Sequence, residues 1–241
     1  MERLCYETSE PVVFNPFRVP GTAYLSPSNL VAMERIASHD YVNPFDGLTP
    51  QQIRQLQDIS DESARITAGI PDKKQALLAL YREIDASNLK QQAEYTDPPI
   101  SCKKGCSFCC SIRVDATQLE VDVVVDYMKE KHIKVSENTL KHQSVLDVGE
   151  YFLSPHRKCT FLDDQGLCKI YPVRPFACRN YFVVSPPEHC DTTQYPKHDT
   201  LGVLNYKTVA MYNGALGKAP FGSFALMLLN TLKRKMGFLK P

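Results

Sequence analysis

The sequence predicts a mainly α protein: a helical N-terminal region plus a small Cys-rich, loop-rich domain with flanking helices. Three observations carry this. Apolar residues recur at helical spacing behind recognisable capping signals. Strand-like alternation is confined to one short stretch. Eight of the nine cysteines lie between residues 102 and 190, in a part of the chain rich in proline and aromatics, while Cys5 stands apart. The boundaries read as 1–97 for the helical region, 98–200 for the cysteine domain and 201–241 for C-terminal helices packed on the same core.

Taken in order, Ser26-Pro27 starts a short helix reaching about His39. Thr49-Pro50-Gln51-Gln52 joins an N-cap, a proline at the first helical position and a capping-box glutamine, and predicts a helix over about 50–69. Asp72 and Gln75 form a second capping pair, after which Leu77, Leu80, Tyr81 and Ile84 recur at helical spacing to about residue 94. Asp97-Pro98-Pro99 breaks the chain before the cysteines begin. Thr117 and Glu120 make another capping box. The residues behind it fit both templates: Leu119, Val121, Val123, Val125 and Tyr127 alternate like a strand, whereas Val121, Val124, Val125 and Met128 share a helical face. Asp122 and Asp126 are poor strand formers, and the cap decides for helix. A weaker helix is expected over 137–153, and two more over about 203–216 and 222–236. The last one carries Lys233, Arg234 and Lys235 before Gly237, which suits a helix C-terminus. Asn-Pro-Phe occurs at 15–17 and 43–45 and reads as two turns.

Composition excludes several classes. The formal net charge of +1 gives no global field to recruit nucleic acid or a membrane surface. The longest apolar run, Phe224–Leu229, is far shorter than the roughly 20 residues of a spanning helix. The first ten residues contain acids and no apolar stretch, so no signal peptide is expected and the cytoplasm is the expected compartment. Thiols there stay reduced, and the cysteine count is odd; both argue against a disulfide framework.

The cysteines therefore point to metal. Cys102, Cys106, Cys109 and Cys110 are spaced Cys-x3-Cys-x2-Cys-Cys, and Gly105 permits a left-handed turn between the first two. Cys159, Cys168, Cys178 and Cys190 follow at wide spacings, so a site must be assembled from distant segments. Thiolates suit zinc and iron, including an iron–sulfur cluster such as [4Fe-4S]. Neighbouring side chains tend to diverge, so Cys109 and Cys110 are expected to serve different centres, or one of them to be no ligand. Structural zinc contributes about 10–16 kcal/mol in finger peptides, against about 5–15 kcal/mol of net stability for whole domains. Metal loss is accordingly expected to unfold residues 100–200. Lys103, Lys104 and Arg113 flank the first group, and Arg157, Lys158, Lys169, Arg174 and Arg179 the second, where they can offset thiolate charge. The same cations with Phe108, Phe161, Tyr171, Phe176, Tyr181 and Phe182 form the less favoured alternative, a nucleic-acid surface. His156 and His189 lie near cysteines and read as exposed loop histidines sooner than as ligands.

These residues carry a resemblance. The first group, then Cys159, then Cys168-Lys-Ile-Tyr-Pro-Val-Arg-Pro-Phe-Ala-Cys178-Arg179, then Cys190, resembles the YkgJ-type cysteine-cluster family, the CxxCxxCC zinc- or iron-chelating domain. The second block matches at Cys168, Ile170, Tyr171, Arg174, Pro175, Cys178 and Arg179. The resemblance covers about 100–195 and implies a small, mainly helical metal-binding domain. Flagellin lysine N-methylases have a similar cysteine-rich segment with an iron–sulfur cluster. That keeps open an iron–sulfur enzyme, an oxidoreductase or methyltransferase, beside a metal-stapled module that binds nucleic acid or protein.

Two enzyme readings fail on fold. Cys102-x3-Cys106-x2-Cys109 with Phe108 fits the radical-SAM motif, but the chain after Cys109 reads as helices and Pro-rich loops, not a βα barrel. Cys106-Ser-Phe-Cys109 has thioredoxin-like spacing without a βαβ pattern around it. No Gly-rich phosphate loop or nucleophile elbow occurs. Whether the protein is an enzyme stays open at this level.

Overall fold

The computed structural model describes residues 48–146, 150–151, 154–191 and 202–236. The expected helix from Ser26, Cys5, both Asn-Pro-Phe turns and Gly237 lie outside them. The architecture is mainly α, as the capping signals imply. Helix α1 (Pro50–Ala68) starts at the Thr49 box: the Gln52 amide donates to Thr49 Oγ1 at 3.2 Å, and Gln52 Oε1 accepts from the Thr49 amide at 2.8 Å. Helix α2 (Lys73–Glu94) is capped by Asp72, whose carboxylate accepts from the Lys74 and Gln75 amides.

Strand β1 (Asp115–Thr117) leads into α3 (Gln118–Glu130). The capping box won over the alternation: Val121, Val124, Val125 and Met128 are buried, while Asp126 is exposed and pairs with Lys74 of α2. Helix α4 spans Glu137–Val145, shorter than expected. Leu146 turns extended there, and its carbonyl accepts from the Arg113 guanidinium at 3.3 Å. The four-residue helix α5 (Phe176–Arg179) and strand β2 (Phe182–Val183) follow.

Strand β3 (Gly202–Val203) pairs antiparallel with β2, which delays α6 to Tyr206–Leu216. Strand β4 (Phe221–Ser223) pairs antiparallel with β1, Ala116 opposite Gly222, and α7 (Phe224–Met236) follows at once. No helix among the described residues is long and apolar enough to cross a membrane.

One core joins the parts. Leu77, Leu80, Tyr81 and Ile84 of α2 meet the α3 valines and Leu228, Leu229 and Leu232 of α7. Phe161 and Ile170, from the cysteine-rich loops, are buried in the same cluster. The loops are thus anchored on the helical core by two large apolar side chains, each contributing about 1.5–3 kcal/mol.

Helix α6 lies against α1 at close range. Ser63 Oγ donates to the Met211 carbonyl at 2.7 Å, and a Cβ on Gly214 would meet the Ser60 carbonyl oxygen at 1.9 Å. Alanine there would gain about 1 kcal/mol of helix propensity. The clash is with backbone, which no rotamer change relieves, so overpacking of about 1–3 kcal/mol wins. Gly214→Ala is expected to lower the thermal midpoint by several degrees while Gly222→Ala, whose Cβ would stand 3.6 Å from Met227 Sδ, changes it less; calorimetry of both variants checks this.

Candidate metal centre

All eight clustered cysteines are free thiols in the structure. They come from four segments, each shaped by local sequence. Residues 102–107 turn back on themselves, with the Cys106 amide donating to the Lys103 carbonyl at 3.0 Å and Gly105 at φ 87°. That φ is left-handed, which is why glycine stands there. A 3₁₀ turn, Phe108–Ser111, then carries Cys109 and Cys110. Cys159 opens a loop that folds back antiparallel, Leu162 opposite Cys168, around a turn in which Asp163 Oδ1 accepts from the Gln165 and Leu167 amides. Cys178 sits on α5, and Cys190 ends a second 3₁₀ turn, Pro187–Cys190.

Backbone hydrogen bonds draw the segments together. The Cys159 amide donates to the Cys110 carbonyl at 2.7 Å, and the Ser101 amide to the Val183 carbonyl at 2.8 Å. The 163–167 turn rests on the first loop: a Cβ on Gly166 would stand 3.4 Å from the Gly105 carbonyl oxygen. The two 3₁₀ turns, Phe108–Ser111 and Pro187–Cys190, pack on one another.

Burial dominates thiol chemistry here. It pushes the Cys159 and Cys190 thiols up to about 12, and raises Cys102, Cys168 and Cys178 as well. Backbone amides oppose it: Val183 donates to the Cys102 sulfur, Phe161 and Leu162 to Cys159, and Ile170 to Cys168. Such bonds favour the thiolate. Cys178 presents a contrast: its side chain is exposed, yet protein packed around the sulfur raises its thiol well above the ordinary value.

Cys109 and Cys110 sit side by side on the 3₁₀ turn and act on one another: Cys110 raises the Cys109 thiol, and Cys109 lowers that of Cys110. Among the described residues, no three His, Cys, Asp or Glu side chains already stand as a closed metal site. The donor chemistry is that of a soft metal: eight thiols, backbone amides donating to Cys102, Cys159 and Cys168, and the buried Tyr181 hydroxyl. The Cys190, Cys109 and Cys102 sulfurs are the groups whose charges act on that hydroxyl. With zinc or iron bound, thiolate ligation would supply structural cross-linking or an electron-transfer centre.

The basic residues divide. Arg174 lowers Cys168 and Cys178, and Arg179 lowers Cys168, as charge compensation requires. Arg179 also does something the sequence did not announce. It is fully buried and pairs with Asp85 of α2; its Nε donates to the Arg174 carbonyl at 2.9 Å, another of its nitrogens to the Pro172 carbonyl, and its guanidinium stacks on Tyr81 at 3.8 Å. Asn88 donates to the Arg179 carbonyl at 3.0 Å. Tyr81, Asp85 and Asn88 lie at i, i+4 and i+7 of α2, one face that docks the cysteine segment. Their spacing was a helical signal; their partners were not readable.

The aromatic platform of the nucleic-acid alternative is not assembled. Phe161 and Phe182 are buried, and Phe176 stacks on Tyr212 at 4.1 Å. Only Phe108 and Tyr171 of the six are exposed, and Arg174 covers one face of the Tyr171 ring. His156 stacks on His142 at 4.1 Å, and His189 precedes Cys190 in its turn.

Two outcomes are expected. Arg179→Leu leaves two backbone carbonyls without their donor and Asp85 with Arg174 alone, and should cost about 3 kcal/mol in denaturant unfolding; Arg179→Lys should recover little, because the forked, stacked geometry is lost. The second concerns pH. The raised thiols leave stability intact below the unfolded thiol value, and erode it as pH climbs toward their folded values. Buried Tyr81 and Tyr212 act in the same direction at higher pH. Reduced, metal-stripped protein should melt at progressively lower temperature above about pH 8.5; a midpoint constant to about pH 10.5 would contradict thiol burial.

Comparison with known proteins bears on this arrangement directly. No curated protein and no solved structure matches the chain. The stretch that holds all eight clustered cysteines, residues 101–200, matches the family model CxxCxxCC, described as "Putative zinc- or iron-chelating domain".

Proposed function

We propose that this protein chelates zinc or iron through Cys102, Cys106, Cys109, Cys110, Cys159, Cys168, Cys178 and Cys190. The observation that carries the reading is the match of residues 101–200 to the zinc- or iron-chelating family model, over four segments that backbone hydrogen bonds hold together and that bear eight unpaired thiols. Buried thiols left as neutral groups contribute little. Thiolates around a cation would bind those same segments to one another. The reduced thiols suit the cytoplasm.

The working unit in this reading is wider than residues 98–200. Helix α2 supplies Tyr81, Asp85 and Asn88 to the cysteine segment, and α7 supplies core. The metal then secures irregular loops on a helical body that has its own apolar packing. The expected unfolding of all of 100–200 on metal loss narrows accordingly: α3 is held by Val121, Val124, Val125 and Met128 in the shared core.

Anaerobic purification with metal analysis and a visible spectrum tests the reading. Zinc without colour supports a structural or binding site, and a brown protein absorbing near ~400 nm supports iron–sulfur ligation and opens the enzyme alternative. Metal removal is expected to speed amide exchange in 101–113 and 156–191 while leaving α3 protected. A protein free of metal with its thiols paired would refute the proposal.

A further inference from the structure

We infer that the depression between the start of α4 and the Cys159 hairpin binds a small anion of the phosphate class through Lys134, Lys158 and Lys169, whether or not metal is bound.

Three segments build the depression, whose volume is about 330 Å³. That lies at the lower end of small-ligand sites, about 300–1,000 Å³. Lys134, Ser136 and Thr139 come from the approach to α4 and its first turn, Lys158 and Thr160 from the loop around Cys159, and Lys169 from the returning arm of the hairpin. Hydrogen bonds fix the walls before any ligand arrives. The Ser136 amide donates to Thr160 Oγ1 at 3.0 Å, which ties the loop to the helix start. Gln143 Nε2 of α4 donates to the His156 and Lys158 carbonyls at 2.5 Å and 3.0 Å. The Lys169 amide donates to the Phe161 carbonyl at 2.9 Å. The lysines thus stand on braced backbone while their side chains stay exposed and free to close on a ligand.

Charge selects the ligand. No carboxylate lines the depression among the described residues. The acids next to its walls are engaged elsewhere: Glu137 pairs with Lys141 at 2.8 Å, and Asp163 Oδ1 accepts from the Gln165 and Leu167 amides in its own turn. None of the three lysines forms an ion pair among the described residues. Three ammonium groups therefore share one concave surface without a counter-charge, in a chain whose formal net charge is only +1. A concave surface of one sign concentrates counter-ions. Cys159 also lines the depression, but one thiolate shared with a metal could not neutralise three ammonium groups.

The hydroxyls point to an oxyanion. Ser136 Oγ accepts from the Thr139 amide at 3.1 Å and shares one proton with Thr139 Oγ1 at 2.9 Å, so the pair has one proton left to donate. Thr160 Oγ1 accepts from the Ser136 amide and keeps its own proton for a further acceptor. Two hydroxyl protons beside three ammonium groups suit a ligand with several acceptor oxygens on one centre. A phosphoryl group offers these and carries close to two charges near neutral pH, which lysine binds as a point charge. A monocarboxylate would match only one of the three lysines.

The test titrates inorganic pyrophosphate into the full chain as purified, at low ionic strength, read by calorimetry and by amide NMR shifts. Saturable binding is expected, with shifts centred on 134–139 and 156–169 and an affinity that falls as salt is added. Lys134→Gln and Lys169→Gln should each weaken binding about tenfold or more, the loss of one charge-assisted hydrogen bond. Lys90→Gln, an exposed α2 lysine outside the depression, should leave it unchanged. Glycerol 3-phosphate titrated in parallel distinguishes a free phosphate from one carried on an organic molecule; whichever binds more tightly, the site is upheld. No saturable binding of either probe, equal weakening by Lys90→Gln, or binding that appears only once metal is removed would overturn the inference. Should a lysine variant fail to fold, the location of the shifts in the unsubstituted protein decides alone.

Discussion

The Glu120 carboxylate is the interaction on which the rest of the structure depends. It is 1 % exposed and accepts from Tyr81 of α2 at 2.8 Å, Tyr212 of α6 at 2.8 Å, the Phe176 amide of α5 at 2.8 Å and the Thr117 amide at 2.7 Å. A buried carboxylate is tolerable only with its lone pairs satisfied, and here donors from four elements satisfy them. Burial, then the carboxylate, pushes both phenols up, so they stay protonated donors. The same residue is the third position of its own helix cap. One side chain therefore begins α3 and fixes α2, α5 and α6 around it.

From that hub the geometry reaches the thiols in one step. Phe176, held by Glu120, begins the four-residue helix that carries Cys178 and Arg179. Tyr81, held by Glu120, is the ring on which the Arg179 guanidinium lies. Asp85, one turn along α2, neutralises Arg179, and Asn88 secures its carbonyl and joins Asn205, the cap of α6, at 2.9 Å. A polar seam thus runs from the α3 cap to the cysteine loops. The cost of burying these polar groups is offset because nearly every one finds a partner within the seam. Beyond the seam the thiols meet one another, backbone amides, the Arg174 charge and the Tyr181 hydroxyl.

Capping chemistry and periodicity made most of the helices legible. Thr49, Asp72 and Thr117 each begin a helix where their spacing to Gln52, Gln75 and Glu120 implied. The helix expected to reach residue 153 stops at Val145, and those expected from 203 and 222 yield their first residues to β3 and β4. Short two-strand pairings leave little periodic trace, since each is made by a partner far away in the chain. In the cysteine region, Ile170 and Phe161 read as motif and surface aromatic, and both are core. Arg179 read as a counter-charge to sulfur, and most of its donors go to Asp85 and to backbone.

What the sequence determined by itself was the local chemistry: which segments are helical, which residues cap them, and that thiols at these spacings form a soft-metal donor set. Those properties depend on neighbours within a few residues, where spacing carries the information. Tertiary structure decided that Tyr81, Asp85 and Asn88 dock the cysteine segment, and that Glu120 serves four elements at once. Such pairings join residues dozens of positions apart, and burial fixes them, because a polar group removed from water must be met by whatever donor the packed core brings to it.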